Sequence, residues 1–200
     1  MHNSIPKQFI KLKGIPVLMH TIKKCNTFYP KSKIIVALNK NYFTYWRNEC
    51  EKLNFKIKYK LIKGGKTRFH SVKKSLKFID KNSIIAIHDG VRPLFTNNLL
   101  KKLFKKAQNN KCVVPYIKIN DTVKIKKENI NKEQLMLLQT PQLFKSEIIT
   151  AAYNQEYNSK FTDDSSVVEA QGYKITYLKG EKYNIKITTQ EDLKIVEKLI

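Results

Sequence analysis

Two groups of residues suited to chemistry lie where short apolar runs end. Asp89 and Arg92 follow the apolar run Ser83–Ile87, within the sequence His-Asp-Gly-Val-Arg-Pro. A carboxylate at the end of a buried strand is well placed to hold Mg²⁺, which prefers oxygen ligands. His88 beside it could instead indicate a metal-dependent phosphohydrolase, but the other three histidines lack the spacing that such a site needs. We therefore interpret His88 as structural.

The second group is a glycine pair followed by a helix, in the sequence Gly-Gly-Lys-Thr-Arg-Phe-His-Ser. Gly64 and Gly65 would let the backbone approach a ligand closely, and the N–H groups that open the following helix can bind an anion or a base edge. Arg68 and Ser71 are three residues apart, so they share one face of the first helical turn. A plain strand-to-helix turn would have the same pattern.

Further polar segments are weaker signals when each is taken alone. Lys7 follows a proline and could hold a phosphate as a point charge, although surface lysines are common. Thr162–Ser166 opens a helix, and an N-cap with acidic first-turn residues is a sufficient structural reason for its composition. The remaining segments are Asp121–Lys124 (DTVK), Gln139–Gln142 (QTPQ, before a helix) and Asn184–Thr189 (NIKITT).

The elements that must position these residues alternate between strands and helices. The predicted strands are Lys33–Leu38, Phe55–Ile62, Ser83–Ile87, Lys111–Ile117 and Tyr173–Leu178. The predicted helices are Pro16–Lys24, Tyr42–Leu53, Phe69–Ile79, Leu99–Gln108, Ser146–Tyr153 and Glu191–Leu199. This order predicts an α/β fold with an open, Rossmann-like, mostly parallel sheet that binds ligands at the carboxyl ends of its strands. The polar segment Lys118–Lys132 looks like an arm leaving the domain, or an ordinary solvated hairpin.

Length and composition predict a single domain over residues 1–200. No apolar run approaches the roughly 20 residues of a membrane helix, and no secretory signal is visible at the start. Cys25, Cys50 and Cys112 are widely spaced and form no CxxC or Cys/His cluster, which favours free thiols over zinc or disulfides. We therefore expect a cytoplasmic protein with no membrane association.

The net charge of +23 raises the possibility of a nucleic-acid-binding protein. Only three of the 39 basic residues are arginine, and the lysines are scattered along the whole chain. No recognition-helix pattern or RNA-binding aromatic motif accompanies them. Direct nucleic-acid recognition is therefore not favoured, whereas a positive field would attract phosphorylated small substrates.

Taken together, seven segments resemble the 2-C-methyl-D-erythritol 4-phosphate cytidylyltransferases of the non-mevalonate isoprenoid pathway. They occur in the family's order over nearly the whole chain: PKQF, GG..R..SV, HDG.RP, DTVK, QTPQ.F, TDDSS.VE and NIKITT.EDL. The resemblance implies a nucleotidyltransferase-type sheet with a protruding β-arm. It also implies transfer of CMP from CTP to 2-C-methyl-D-erythritol 4-phosphate, giving 4-diphosphocytidyl-2-C-methyl-D-erythritol and pyrophosphate.

The resemblance also implies roles for individual residues. The catalytic residues would be Lys7, which would stabilise the pentavalent transition state, together with Lys132 and Lys186. CTP would contact Lys7, Gly64, Gly65, Arg68, Ser71 and Asp89. The sugar-alcohol phosphate would contact Arg92, Thr122, Lys132, Thr140, Thr162 and Lys186. Asp89 would hold Mg²⁺, or another divalent cation, on the triphosphate.

Residues 118–134 resemble the family's dimerisation arm, which would place Thr122 and Lys132 in the partner's active site of a homodimer. The family usually has an arginine at the position of Lys132. The lysine keeps the charge but loses bidentate geometry, so we expect slower turnover or weaker substrate binding. Arg68 and Arg92 fall inside the motifs of a chain that otherwise uses lysine, which suggests that the planar fork of donors is needed there.

The N-terminus departs from the family pattern. The family begins with a strand and a glycine-rich loop around the triphosphate, and Met1 stands where the last residue of that loop would fall. We expect that this sequence lacks both, through a start codon assigned too late, and that two neighbouring strand edges are left unpaired. A chain of this length would then bind CTP poorly and have low activity.

Two alternatives remain at this point. A ribitol 5-phosphate cytidylyltransferase shares the fold and most motifs, although the segment TDDSSVVE favours the erythritol enzyme. A non-catalytic basic relative that binds nucleic acid, or that has lost its activity, is the alternative from a different class.

Overall fold

A computed structural model of the chain describes residues 5–125, 128–129 and 131–200. Its strands are β1 (Lys11–Leu12), β2 (Ile15–Pro16), β3 (Ile35–Leu38), β4 (Lys60–Lys63), β5 (Ile84–Ile87), β6 (Cys112–Lys118), β7 (Lys124–Ile125), β8 (Glu128–Asn129), β9 (Met136–Leu138), β10 (Gln142–Lys145) and β11 (Thr176–Lys179). Its helices are α1 (Val17–Phe28), α2 (Phe43–Lys52), α3 (Arg68–Ser75), α4 (Asn97–Gln108), α5 (Ser146–Ala152), α6 (Asp164–Glu169) and α7 (Gln190–Leu199). None of these helices is long and apolar enough to cross a membrane.

The larger sheet has the strand order β11-β6-β10-β5, and β9 pairs with the end of β6. β11 runs parallel to β6, whereas β10 runs antiparallel to both β6 and β5. The α/β class is confirmed, but the sheet is mixed rather than mostly parallel. The correction comes from Gln142–Lys145, which lies directly before α5 and was not predicted to be a strand. Its first three side chains are buried, and its backbone completes the ladder between two strands of the opposite direction.

β3 and β4 form a separate parallel pair, with Ile35 opposite Lys60 and Leu38 opposite Lys63. The predicted strand from Phe55 is wrong at its beginning, because the ladder starts only at Lys60. Among the described residues β3 pairs only with β4 and β5 only with β10, so each has one unpaired edge. The expected absence of an N-terminal strand stays a prediction, and Met1 itself lies outside the described residues.

The core that holds the sheet in place lies on both of its faces. On one face, α5 and α6 pack Ile149 and Val168 against Phe144 of β10. On the other face, α4 packs Leu99 and Leu103 against the sheet. α4 forms because Thr96 caps it, accepting from Leu99 N at 3.0 Å, and because its leucines recur on one face. Full burial of each such side chain contributes about 1.5–3 kcal/mol.

The predicted arm contains a short antiparallel hairpin in which Lys124 is opposite Asn129 and Ile125 is opposite Glu128. The chain returns through a 3₁₀ turn at Lys132–Gln134 and then pairs with the end of β6 through β9. Residues 126, 127 and 130 of the arm lie outside the described residues. The hairpin is confirmed, and its part in dimerisation stays a prediction.

Candidate active site

Three cationic side chains surround the carboxylate of Asp89, two residues after β5. Lys186 Nζ lies 3.0 Å and Arg92 Nε 3.3 Å from Asp89 Oδ2, and Arg68 Nε lies 3.5 Å from Oδ1. Burial raises the pKa of Asp89, but the charges of Lys186, Arg68 and Arg92 outweigh burial and hold this pKa at about 2. The carboxylate is therefore ionised at neutral pH. We call these four residues the Asp89 cluster.

Backbone contacts hold Arg92 and Lys186 beside Asp89. The N–H of Arg92 donates to the Asp89 carbonyl at 3.1 Å, which forms the tight turn after β5. The N–H of Ile187 donates to the Val91 carbonyl at 3.0 Å, so the segment carrying Lys186 lies against the same turn. Residues almost 100 positions apart in the sequence are thus joined at the carboxyl end of β5, as expected for a ligand site in an α/β sheet.

Asn184 ties the Lys186 segment to its surroundings. Its side chain is fully buried, and its Nδ2 donates to the backbone carbonyl of Thr140 at 2.8 Å. Its backbone carbonyl accepts from Arg92 Nη1 at 2.8 Å. Arg92 is therefore held from two sides, by Asn184 and by Asp89. Asn184 belongs to the NIKITT motif, but the sequence indicated no role for it.

Thr140 and His88 hold the backbone of Asp89 in place. Thr140 Oγ1 accepts from the N–H of Asp89 at 3.0 Å and lies 2.9 Å from His88 Nδ1. The hydroxyl hydrogen is then free to donate to Nδ1, so Nε2 carries the ring proton and donates to the Arg92 carbonyl at 3.0 Å. Burial lowers the pKa of His88 to about 4, which keeps the ring neutral. These contacts match a structural His88, and the predicted place of Thr140 in the sugar-phosphate pocket stays a prediction.

The glycine loop is held by side chains of the helix that follows it. Ser71 Oγ accepts from the N–H of Gly65 at 2.9 Å and donates to the Thr67 carbonyl at 3.0 Å. A Cβ on Gly65 would lie 2.3 Å from His70 Cβ, so no side chain fits there. The structure therefore requires Gly65 for packing against α3, and the ligand contacts predicted for Gly64, Gly65 and Ser71 stay predictions.

Arg68 also binds a second carboxylate, which sequence reasoning missed. Its Nη1 donates to Asp164 Oδ1 at 2.9 Å and its Nη2 to Oδ2 at 2.5 Å. Burial lowers the pKa of Arg68, but Asp164 outweighs burial and raises this pKa above the usual range. The pair Asp163–Asp164 was interpreted as helix capping, and Asp163 does cap α6 in a capping box with Ser166. An acid in the first turn of a helix is favourable without any further partner, so the sequence carried no signal for the contact between Arg68 and Asp164.

The model of the family described as 2-C-methyl-D-erythritol 4-phosphate cytidylyltransferase matches residues 1–200 of this chain. The chain belongs to that cytidylyltransferase family. The member from Azobacteroides pseudotrichonymphae is 46% identical over 207 residues, which cover 100% of this chain and 92% of the relative. The member from Phocaeicola vulgatus is 40% identical over 204 residues, covering 100% and 93%.

Solved structures of cytidylyltransferases confirm the fold. The 4-diphosphocytidyl-2C-methyl-D-erythritol synthase of Anaerococcus prevotii superimposes with a TM-score of 0.83 at 30% identity, over 97% of this chain and 89% of that chain. The 2-C-methyl-D-erythritol 4-phosphate cytidylyltransferase of Thermus thermophilus gives a TM-score of 0.82 at 25% identity, over 97% and 93%. The predicted family and the nucleotidyltransferase-type fold are therefore confirmed.

Four of the residues assigned by resemblance to the cytidylyltransferases are not joined to the Asp89 cluster. Lys7 lies on a 3₁₀ turn, and Thr122 and Thr162 are exposed. Lys132 is exposed, and its Nζ donates to the Asn120 carbonyl at 3.1 Å within its own arm. Within residues 5–125, 128–129 and 131–200, no hydrogen bond or ion pair links these four side chains to the cluster. Their roles stay predictions.

The cluster contains one carboxylate that could hold a metal. No group of three or more His, Cys, Asp or Glu side chains suitable for a metal occurs in the described part of the chain. Mg²⁺ often binds through one or two carboxylates plus substrate phosphates and keeps several waters. Asp89 fits a metal of this kind that binds together with a triphosphate. Phosphate oxygens would then pair with some of the cations that contact Asp89 in this structure.

Proposed function

We propose that this chain joins CMP from CTP to 2-C-methyl-D-erythritol 4-phosphate at the Asp89 cluster. The observation that carries the proposal is the set of three cations around one buried carboxylate, at the carboxyl end of β5 in a cytidylyltransferase fold. CTP carries a triphosphate and the second substrate carries a phosphate, so both are anions. Catalysis of such a transfer consists mainly of positioning and charge neutralisation. The products are 4-diphosphocytidyl-2-C-methyl-D-erythritol and pyrophosphate.

The bonds exchanged need no general base on the protein. An oxygen of the substrate phosphate forms a bond with the α-phosphorus of CTP, and the bond from that phosphorus to the β-phosphate oxygen breaks. A phosphate monoester is already largely ionised near neutral pH, because its second pKa is about 6. The cations of the protein must instead offset the negative charge that gathers around the α-phosphorus.

The two cations closest to Asp89 differ in how freely they can turn to a substrate. The side chain of Lys186 is 41% exposed, whereas that of Arg92 is 12% exposed and is also bound to the Asn184 carbonyl. Lys186 can therefore leave Asp89 for the incoming phosphate, and Arg92 would act as a fixed wall of the pocket. Lys7 is proposed as the cation at the transition state on the family pattern alone.

Mg²⁺ on Asp89 would neutralise and orient the triphosphate oxygens. We also propose a homodimer in which the arm, residues 118–134, reaches the partner's site with Thr122 and Lys132. Support comes from the hairpin in the arm and from Met136 and Leu137 of the adjoining strand, which are 38% and 50% exposed. Exposed large apolar side chains beside a protruding arm are compatible with an interface there.

The names of the relatives favour the erythritol substrate over ribitol 5-phosphate, and they do not favour a nucleic-acid-binding role. Release of pyrophosphate would be measured with CTP and each sugar phosphate in turn. Faster turnover with ribitol 5-phosphate would overturn the proposed substrate.

Lys186→Met tests the role of the cluster. We expect kcat/KM to fall by about 100-fold or more, since a charge contact to the reacting phosphates is lost. The matched control is Lys182→Met, an exposed lysine of the same segment, which should leave kcat/KM within about twofold. Equal activity of the two variants would contradict the proposed site.

A further inference from the structure

We infer that Asp164 is a positioning residue that fixes the guanidinium of Arg68 and limits its contact with Asp89. This inference rests on the proposed function. Asp164 opens α6 and Asp89 follows β5, so the two carboxylates come from distant parts of the chain. Within the described residues Arg68 is the side chain that binds both of them, through its Nη atoms and its Nε respectively.

The bond lengths show which carboxylate holds Arg68 more firmly. The two Nη contacts to Asp164 are 2.9 and 2.5 Å, whereas the single Nε contact to Asp89 is 3.5 Å. Two parallel bonds define the plane of a guanidinium, which one contact cannot do. Asp164 therefore sets the position of Arg68, and Asp89 accepts the weaker contact that this position leaves.

Asp164 is itself held firmly. Its side chain is fully buried, and Tyr153 OH donates to Oδ1 at 2.6 Å. Tyr153 stacks on Phe69, the neighbour of Arg68 in α3, with ring centroids 4.7 Å apart. Helix α3, the residue that directly follows α5 and the start of α6 thus meet around this carboxylate.

The consequence for the site concerns the charge on Asp89. If Asp164 lost its charge, the fork of Arg68 would have Asp89 as its remaining carboxylate partner in the described structure. Asp89 would then hold Arg68 more tightly, in competition with a divalent cation and with the nucleotide that carries it. Asp164 keeps Asp89 available by occupying the fork of Arg68 elsewhere.

The test is a double-mutant cycle between Asp164→Asn and Arg68→Met, read by kcat/KM and by calorimetric binding of CTP with Mg²⁺. Asp164→Asn alone should weaken both by about 10- to 100-fold, as expected for coupled groups in contact. In the Arg68→Met background the same substitution should change both by no more than about twofold. Additive losses in the two backgrounds would overturn the inference.

The controls separate positioning from simple loss of stability. Glu49→Gln removes another largely buried carboxylate, whose Oε2 lies 2.7 Å from Lys11 Nζ and which has no contact with the Asp89 cluster among the described residues. This control should leave kcat/KM within about twofold. Arg68→Lys keeps the charge without the fork and should lose at least about tenfold. If Asp164→Asn does not fold, near wild-type activity of Arg68→Lys would still refute the inference.

The binding measurement also separates failure of the proposed function from failure of the role of Asp164. If the wild-type chain binds CTP but does not use the erythritol phosphate, the proposed function fails while the cycle on CTP binding still tests the role of Asp164. If the wild-type chain transfers CMP and the cycle is additive, the role of Asp164 fails alone.

Discussion

Replacing Thr140 with valine should destabilise the protein by removing one hydroxyl that serves two partly buried partners. The Thr140 side chain is 5% exposed, accepts from the Asp89 N–H and lies within hydrogen-bond distance of His88 Nδ1. Valine has nearly the same shape but neither donates nor accepts. Two fully buried polar groups left unpaired would cost about 2–6 kcal/mol together, and because these two are only partly buried the expected loss is about 2–4 kcal/mol in the free energy of unfolding.

For a chain of this length, that loss corresponds to a decrease in Tm of about 5–15 °C. Urea unfolding should show the same loss at an unchanged m value, because the surface exposed on unfolding is the same. The matched control is Thr27→Val, whose exposed hydroxyl donates to a helix carbonyl at 2.9 Å, with an expected change within about 0.5 kcal/mol. If Thr140→Val were as stable as this control, the proposed support of Asp89 by Thr140 would be wrong.

Three further perturbations address packing, pH and assembly. Gly65→Ala places a Cβ 2.3 Å from His70 Cβ and should lower stability by about 1–3 kcal/mol, measured by urea unfolding. Asp163→Ala should lower stability at pH 7 by about 1–2 kcal/mol through loss of the α6 cap. Burial raises the pKa of Asp163, but hydrogen bonds from Gln142, Ser165 and Ser166 outweigh burial, so the pKa in the folded state lies below the usual value. The stability that the Asp163 charge contributes is therefore present above about pH 4 and is lost as pH falls through the folded pKa. Leu137→Glu, at an exposed leucine beside the arm, should convert the proposed dimer to a monomer in light scattering.

Each of these has a control or a contradicting outcome. Gly64→Ala should be milder than Gly65→Ala, because its nearest new contact is the Ser71 hydroxyl at 3.2 Å. A stability difference for Asp163→Ala that stays constant from pH 7 to pH 3 would contradict the role of its charge. Leu199→Glu, at a leucine on α7 that is 48% exposed, should leave the oligomer unchanged. Dimers that survive Leu137→Glu would place the interface elsewhere.

Much of the local structure could be predicted from periodicity and end signals. The apolar runs around Ile35 and Ile84 are strands, and the leucines after Thr96 form a helix, because these patterns reflect neighbouring residues only. Asp89 and Arg92 are likewise three residues apart on one turn, so their contact follows from local geometry. The motifs around them were sufficient to indicate the family, whose model matches residues 1–200.

Other features were decided by tertiary structure. Gln142–Lys145 is too short and too mixed in composition to be identified as a strand, and it became one because two strands of opposite direction supplied its hydrogen bonds. The sheet is mixed for that reason. Sequence patterns do not specify which strands will become neighbours.

Asp164 shows the same limit within the site. In the sequence, it is one of two adjacent acids at a helix start, and either could have been solvated. The meeting of α3, α5 and α6 buried this one completely, and a buried carboxylate must have partners that offset its loss of hydration. The sequence by itself indicated the family and the candidate residues of the site, whereas the packing of distant elements decided that Arg68 binds two carboxylates at once.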